Sequence, residues 1–117
     1  LILVGAPGAI LAGSPFVTFA HPSPTRAWLD RTFPDAEIAM ALRSIAAVKG
    51  NVRGGIGVTL VSREAVGRDL ADGRLIVLPH PATPIRREMV LLHRGVDRLS
   101  PAGRALRDAL LAVPEVP

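Results

Sequence analysis

Between Phe16 and Leu78, short β-type runs alternate with helical stretches, and the links between them are tight. Phe16–Phe19, Ile38–Leu42, Ile56–Val61 and Leu75–Leu78 read as strands. Residues 24–33, 44–54 and 62–70 read as the helices between them. A strand–helix–strand series with links this short brings each strand back in the same direction. It predicts a parallel, right-handed α/β sheet with helices on its faces. Ser23, Ser44 and Ser62 each follow a strand and open a helix, and Pro24 suits the first helical position. The first helix carries Trp28, Leu29 and Phe33 into the core, and Pro34 stops it. Gly54-Gly55 ends the second, and Asp72-Gly73 turns the third into the last strand. In Ile38–Leu42 the alternation of Ile38, Met40 and Leu42 predicts a strand with one face in the core.

The flanks read differently. Leu1–Val4 is a short strand before the Gly5–Gly8 turn. Pro79, Pro81 and Pro84 make a stiff crossing segment, the best candidate for a lobe boundary. Arg87–His93 reads as a strand. Ser100-Pro101 opens an amphipathic helix with Leu106, Leu110 and Val113 on one side, ending at Pro114.

Composition removes several function classes. At 117 residues the chain is one domain or part of one. It has no Cys, so disulfide frameworks, thiol catalysis and Cys-based zinc sites are excluded. No apolar run approaches the ~20 residues needed to span a membrane. The start, LILVGAPGAILAG, lacks a basic leader and is broken by Pro7 and Gly8, so it does not read as a signal peptide. A cytoplasmic protein is the expectation. Net charge is +4, but the arginines are scattered and aromatics make up only 3%, which argues against a nucleic-acid platform. The chain is 49% hydrophobic. That is high for so small a piece, and a strand begins at once. The expectation is a partial domain whose missing part, or a second copy, covers apolar surface.

Three serines at strand-to-helix turns share one sheet edge, where ligands bind in parallel α/β folds. Helix N-termini there favour an anion. Thr25 adds a hydroxyl and Arg26 a charge. Gly54-Gly55-Ile56-Gly57 follows a helix and opens a strand, so it is not a dinucleotide fingerprint. It is either a helix end packed closely on a strand or backbone approached by a ligand. His21, His80 and His93 are far apart and lack a carboxylate at ligand spacing, so no metal site is expected. Asp30, Asp35 and Glu37 read as surface charges. No nucleophile–base constellation is present, so neither enzyme nor cofactor is expected.

Two stretches resemble the effector-binding domain of LysR-type transcriptional regulators. The first is PFVTFAHPSPTRAWLDRTF, residues 15–33, with Ser23, Thr25, Arg26, Asp30 and Phe33 in register. The second spans residues 44–79, with Ser44, Ala47, Lys49, Val52, Gly55, Gly57, Ser62, Leu70, Gly73 and Leu75 in register. REMVLLHR and SPAGRALRDAL then look like the strand and final helix that return to the first lobe. The chain departs from the pattern at Pro22 and Pro24, where glycines are usual, at Ala46 in place of Glu, and at Asn51 in place of an apolar residue.

The resemblance implies a type II periplasmic-binding-protein fold, with two α/β lobes, two crossing strands and a small molecule between the lobes. Residues 7–79 would form the second lobe. Residues 1–6 and 80–117 would be the crossover strands and the C-terminal part of the first. The implied function is effector sensing and oligomerisation in a transcriptional regulator. The partners implied are a small anionic effector, copies of the chain in a homo-oligomer, and DNA only through an N-terminal helix-turn-helix domain outside this sequence; no membrane is implied. Ser23, Thr25, Gly55 and Val58 are the implied effector contacts. Thr59 is a further one, although β alternation turns it away if Val58 faces the cleft. The rival readings are a solute-binding protein of the same fold serving a transporter, and an enzyme of related architecture.

Overall fold

Strand β1 (Ile2–Gly5) lies between β4 (Thr59–Val61) and β5 (Ile76–Val77) and runs antiparallel to both. Strand β2 (Phe16–Phe19) lies parallel to β3 (Ile38–Leu42), and Phe16 also bridges Val58 in the parallel sense. The strands therefore stand side by side in the order β3–β2–β4–β1–β5. This arrangement belongs to a computed structural model that describes residues 1–114. The four strands of the alternating series share one direction, as the sequence predicts. β1 alone opposes them, because no helix separates it from β2 and it joins the sheet independently of the series. Its first residue is tied to the outgoing chain in both directions, with Leu1 N to Ile85 O at 2.6 Å and Ile85 N to Leu1 O at 2.8 Å.

The helices are α1 (Pro24–Thr32), α2 (Ile45–Arg53) and α3 (Arg63–Ala71). Two of the three serines cap as their positions predict. Ser23 Oγ accepts from Arg26 N at 3.2 Å, and Ser44 Oγ from Ala47 N at 3.0 Å. Ser62 makes no side-chain cap bond. Ser44→Ala should therefore cost about 1 kcal/mol in denaturant melts. Ser62→Ala should cost clearly less, and equal losses would mean that the caps do not set helix stability here.

Alternation along the strands sorts the core onto two faces. Ile2, Val4, Val17 and Val61 pack with Val48 and Val52 of α2 and Val66 of α3. Leu1, Leu3, Phe16, Val58 and Leu60 pack with Leu29 of α1, with Trp28 and Phe33 partly buried beside them. On the first face the buried Asp69 of α3 is held by Lys49 Nζ at 3.0 Å and Arg53 Nη1 at 2.6 Å, both from α2. Lys49 also donates to Ala65 O at 2.9 Å.

Four expectations need correction. The strand expected from Ile56 starts at Thr59, because Ile56 and Gly57 precede the ladder and only Val58 bridges. The strand expected over Leu75–Leu78 shortens to Ile76–Val77, although Leu78 N still bonds Leu3 O at 2.8 Å. β3 has a neighbour on one side only, so Ile38 and Leu42 are half-buried and Met40 is exposed instead of inward. The strand expected over Arg87–His93 does not form: no ladder partner is present among the described residues, and a strand is defined by its ladder.

A second unit, residues 88–117, is described as far as Pro114; the last three residues of the expected 80–117 segment lie outside the described part. It holds a 3₁₀ turn over Val96–Arg98 and helix α4 (Pro101–Leu111), capped by Ser100 Oγ from Gly103 N at 3.1 Å. Arg104 Nε donates to Val96 O at 3.1 Å and ties the helix to the turn. Met89, Leu92, Leu106 and Leu110 are exposed.

Candidate functional site

The polarity of the sheet decides which residues can share a site. β2, β3 and β4 run the same way, so the turns that follow them lie on one edge and the turns that precede them lie on the other. Ser23, Ser44 and Ser62 follow strands. At the ends of β2 and β3 a depression of about 310 Å³ is lined by Phe19, Ala20, Pro22, Ser23, Pro24, Leu42 and Arg43. The N-termini of α1 and α2 flank it. Thr25 is half-buried in the first turn of α1, two residues past Ser23.

Charge at this edge is divided unequally. Arg26 is committed internally: Nε bonds Asp30 Oδ1 at 2.9 Å and Nη1 donates to Phe19 O at 3.0 Å. Asp30 also meets His21 Nε2 at 3.0 Å through its other oxygen. The Arg26 guanidinium holds the Asp30 carboxyl below the ordinary aspartate range, with a smaller contribution from His21. Arg43 is exposed and forms no ion pair with a carboxylate among the described residues. Arg43 also lines the depression.

Gly55, Val58 and Thr59 are not part of this edge. Val58 sits beside Phe16, the first residue of β2, whereas Ser23 lies beyond its last residue, Phe19. Four strand residues separate the two ends by roughly 10–13 Å. Gly55 and Val58 instead line a second hollow of about 380 Å³ with Pro7, Gly8, Ile10 and Ser14. The Val58 side chain is buried in the core on the α1 face. Thr59 is fully buried and, by alternation, points with Val61 toward α2 and α3; its hydroxyl has no hydrogen-bond partner among the described residues. The structure thus places Ser23 in the lining of the depression, with Thr25 two residues on in α1, and sets Gly55, Val58 and Thr59 at the other end of the strands.

Turn geometry and close packing constrain the glycine run. Gly55 ends α2 with φ +82°, and a Cβ at Gly57 would overlap the carbonyl oxygen of Pro15. The other two histidines have local partners: His80 stacks edge-on against Phe33 and its Nδ1 accepts from Ala82 N, and His93 Nδ1 accepts from Gly95 N. Sequence reasoning did not single out Arg43 or Asp69. The signal for Arg43 was its place between the last residue of β3 and the cap of α2. Asp69 offered none, because an aspartate in an Arg-rich helix looks like a solvated charge.

The family described as the LysR substrate binding domain matches residues 6–115. The HTH-type transcriptional regulator CbbR of Xanthobacter flavus is 37% identical over 93 residues, covering 75% of this chain and 28% of that protein. The RuBisCO operon transcriptional regulator of Allochromatium vinosum is 34% identical over 108 residues, covering 89% and 36% respectively. The chain therefore spans about a third of the length of such relatives. Among solved structures, the CcmR regulatory domain of Synechocystis PCC6803, determined in complex with 2-PG, superposes with a TM-score of 0.74 at 21% identity. That match covers 95% of this chain and 61% of the CcmR chain. Full-length HypT from Salmonella typhimurium, a hypochlorite-specific LysR-type regulator, gives 0.62 at 20% identity, covering 69% and 32%. These two show a common α/β fold. With a family match across nearly its whole length, the chain belongs to the LysR substrate-binding domain family, the effector-binding part of LysR-type transcriptional regulators.

Proposed function

We propose that this chain senses a small anionic effector at the shared C-terminal edge of β2, β3 and β4, as part of a transcriptional regulator. The observation that carries this reading is the depression at Ser23 and Arg43. The Ser-capped N-terminus of α1 lines it together with Arg43, which precedes the cap of α2 and has no carboxylate partner among the described residues. Free N–H groups and partial positive charge at helix starts favour an anion. Ser23 and Thr25 are the proposed hydroxyl contacts and Arg43 the charge contact. The 2-PG bound to the CcmR domain supports a small-molecule ligand in this family.

Residues 7–79 are proposed as the second lobe, and 1–6 and 80–117 as the crossover strands and the return into the first lobe. The paired bonds between Leu1 and Ile85 support this, since they set the incoming and outgoing chain side by side. In the whole regulator, DNA contact is assigned to a helix-turn-helix domain outside this sequence. The assembly is assigned as a cytoplasmic homo-oligomer without enzymatic activity. The relatives are regulators, which favours this reading over solute delivery to a transporter. No helix among the described residues is long and apolar enough to cross a membrane.

Titration of the chain with sulfate, followed by amide NMR, should perturb Ser23, Thr25 and Ser44 first. Perturbation confined to Gly55 and Gly57 would overturn the site. Thr25→Val keeps shape and removes a hydroxyl. It should weaken anion binding about tenfold, the effect of one hydrogen bond to a charged group worth about 1.5 kcal/mol. Unchanged affinity in a folded variant would remove Thr25 from the site.

A further inference from the structure

The second hollow, at the opposite end of the parallel strands from Ser23, has a lining of a different chemistry. It measures about 380 Å³, at the small end of the ~300–1,000 Å³ range of ligand sites, and no side chain lining it is ionisable. One wall is the loop after β1, held by Ala9 N to Ala6 O at 2.9 Å and Ser14 N to Leu11 O at 3.1 Å. The other is the turn before β4, held by Gly55 N to Val52 O at 3.0 Å, Ile56 N to Asn51 O at 3.1 Å and Val58 N to Pro15 O at 2.9 Å. Both walls are therefore preformed. Beside Gly8 and Gly55 the space is open, with no atom from elsewhere in the chain within 4 Å of where a Cβ would stand, so a ligand can lie against bare backbone. Ile10 and Ile56 are 69% and 49% exposed, the highest values among the large apolar side chains of residues 1–87. Ile10 lines the hollow, and Ile56 stands between two lining glycines. Arg53, two residues before Gly55, is bonded to Asp69.

We infer that this hollow binds a small, uncharged and largely apolar molecule that carries a hydroxyl. The site stands apart from the Ser23 edge and uses none of its residues. A charged group would enter a lining that offers it no counter-charge, so the ligand is neutral. Its ring or chain atoms would cover Ile10, Pro7 and Ala6 and take apolar surface out of water. Its hydroxyl is assigned to Ser14, the lining residue with a polar side chain. Ser14 Oγ donates to Ile10 O and keeps lone pairs for an incoming O–H donor. A molecule bound here also touches the joint of the sheet. Val58 N donates to Pro15 O and Val58 O accepts from Val17 N at 2.9 Å, so the lining carries the bonds that join β2 to β4. A ligand that binds this folded lining, and not the unfolded chain, stabilises the fold by mass action.

Phenol is the probe, with toluene and benzoate as comparisons. In amide NMR, phenol should shift Gly8, Ser14, Gly55 and Gly57 along one saturating curve and leave Ser23, Thr25 and Ser44 unmoved. Added sulfate should not change that curve, whatever sulfate does at Ser23, so this site and the effector edge stand or fall separately. The urea midpoint should rise over the same range of phenol concentration. Ser14→Ala should weaken phenol about fivefold, the effect of one neutral hydrogen bond, and leave toluene unchanged. Ile10→Asp sets a carboxylate on an exposed position of the lining. It should weaken both probes about tenfold or more with the fold intact. Shifts confined to residues 88–114, where other large apolar side chains are exposed, would overturn the site. So would benzoate binding at Gly8 and Gly57 as tightly as phenol, or both probes retained in Ile10→Asp. Phenol and toluene weakened alike in Ser14→Ala would overturn the hydroxyl assignment. Shifts at the same amides that grow with protein concentration before any probe is added would give the hollow to a second copy of the chain and overturn the small-molecule reading.

Discussion

Asp69→Ala is expected to lower the stability of the chain by about 3–5 kcal/mol, the cost of removing one partner from a buried ion-pair group. Asp69 is nearly fully buried and receives two cations from α2. Its loss leaves the Lys49 ammonium and Arg53 guanidinium side by side on α2, one turn apart, without the carboxylate that both of them bond. Ala65 O still accepts from Lys49, and both cations retain some solvent contact, which places the result toward the lower end. Small domains hold only about 5–15 kcal/mol in all, so even that figure moves a urea midpoint far. Lys49→Met or Arg53→Met should each cost less, since one cation remains on the carboxylate. A midpoint within error of the wild type would show that α2 and α3 are held by their valines alone.

The same group makes stability fall in acid. The hydrogen bonds from Lys49, then those from Arg53, hold the Asp69 carboxyl below the ordinary aspartate range, against the opposing effect of burial. A carboxyl depressed in the folded state stabilises it above the unfolded value, near pH 4, and the benefit is lost as pH falls through the folded value. Melting of the wild type should therefore steepen below about pH 4, and Asp69→Ala should flatten that dependence.

Much of the fold follows from local chemistry. Ser23, Ser44 and Ser100 cap where hydroxyl, spacing and following proline or apolar turn place a helix start. Four strands align because short helical links return the chain in one direction. The antiparallel seat of β1 was not legible, since it depends on pairing across more than fifty residues and no local pattern encodes it. The apparent strand at Arg87–His93 misled for the opposite reason: the apolar pattern is present, but no neighbour among the described residues supplies the ladder. The site was half legible. Serines at strand-to-helix turns mark one edge. Contacts transferred by register added Gly55, Val58 and Thr59, which stand at or just after a helix-to-strand turn and so at the other end of parallel strands. Link polarity alone separates the two sets, and the order of helical and β-type runs along the chain carries it.

Gly57→Ala should cost about 3 kcal/mol, the upper part of the range for forcing extra volume into packed structure. The added methyl would overlap the Pro15 carbonyl oxygen, and a backbone atom has no rotamer to yield. That carbonyl accepts from Val58 N at 2.9 Å, and Val17 N donates to Val58 O at 2.9 Å. These bonds flank the Phe16–Val58 bridge that joins β2–β3 to β4–β1–β5, so the substitution separates the two parts of the sheet. Gly55→Ala is the control. It has open space around the missing Cβ but a left-handed φ of +82°, so its penalty is conformational and should stay near 1 kcal/mol. Urea melts would rank the two, and amide shifts at Phe16 and Val17 would show the sheet opening in Gly57→Ala alone. If Gly57→Ala were no more costly than Gly55→Ala while sulfate binding at Ser23 vanished, the glycine run would act on the ligand after all. Loss of stability with sulfate binding retained under folding conditions would fix its role in the joint between strands.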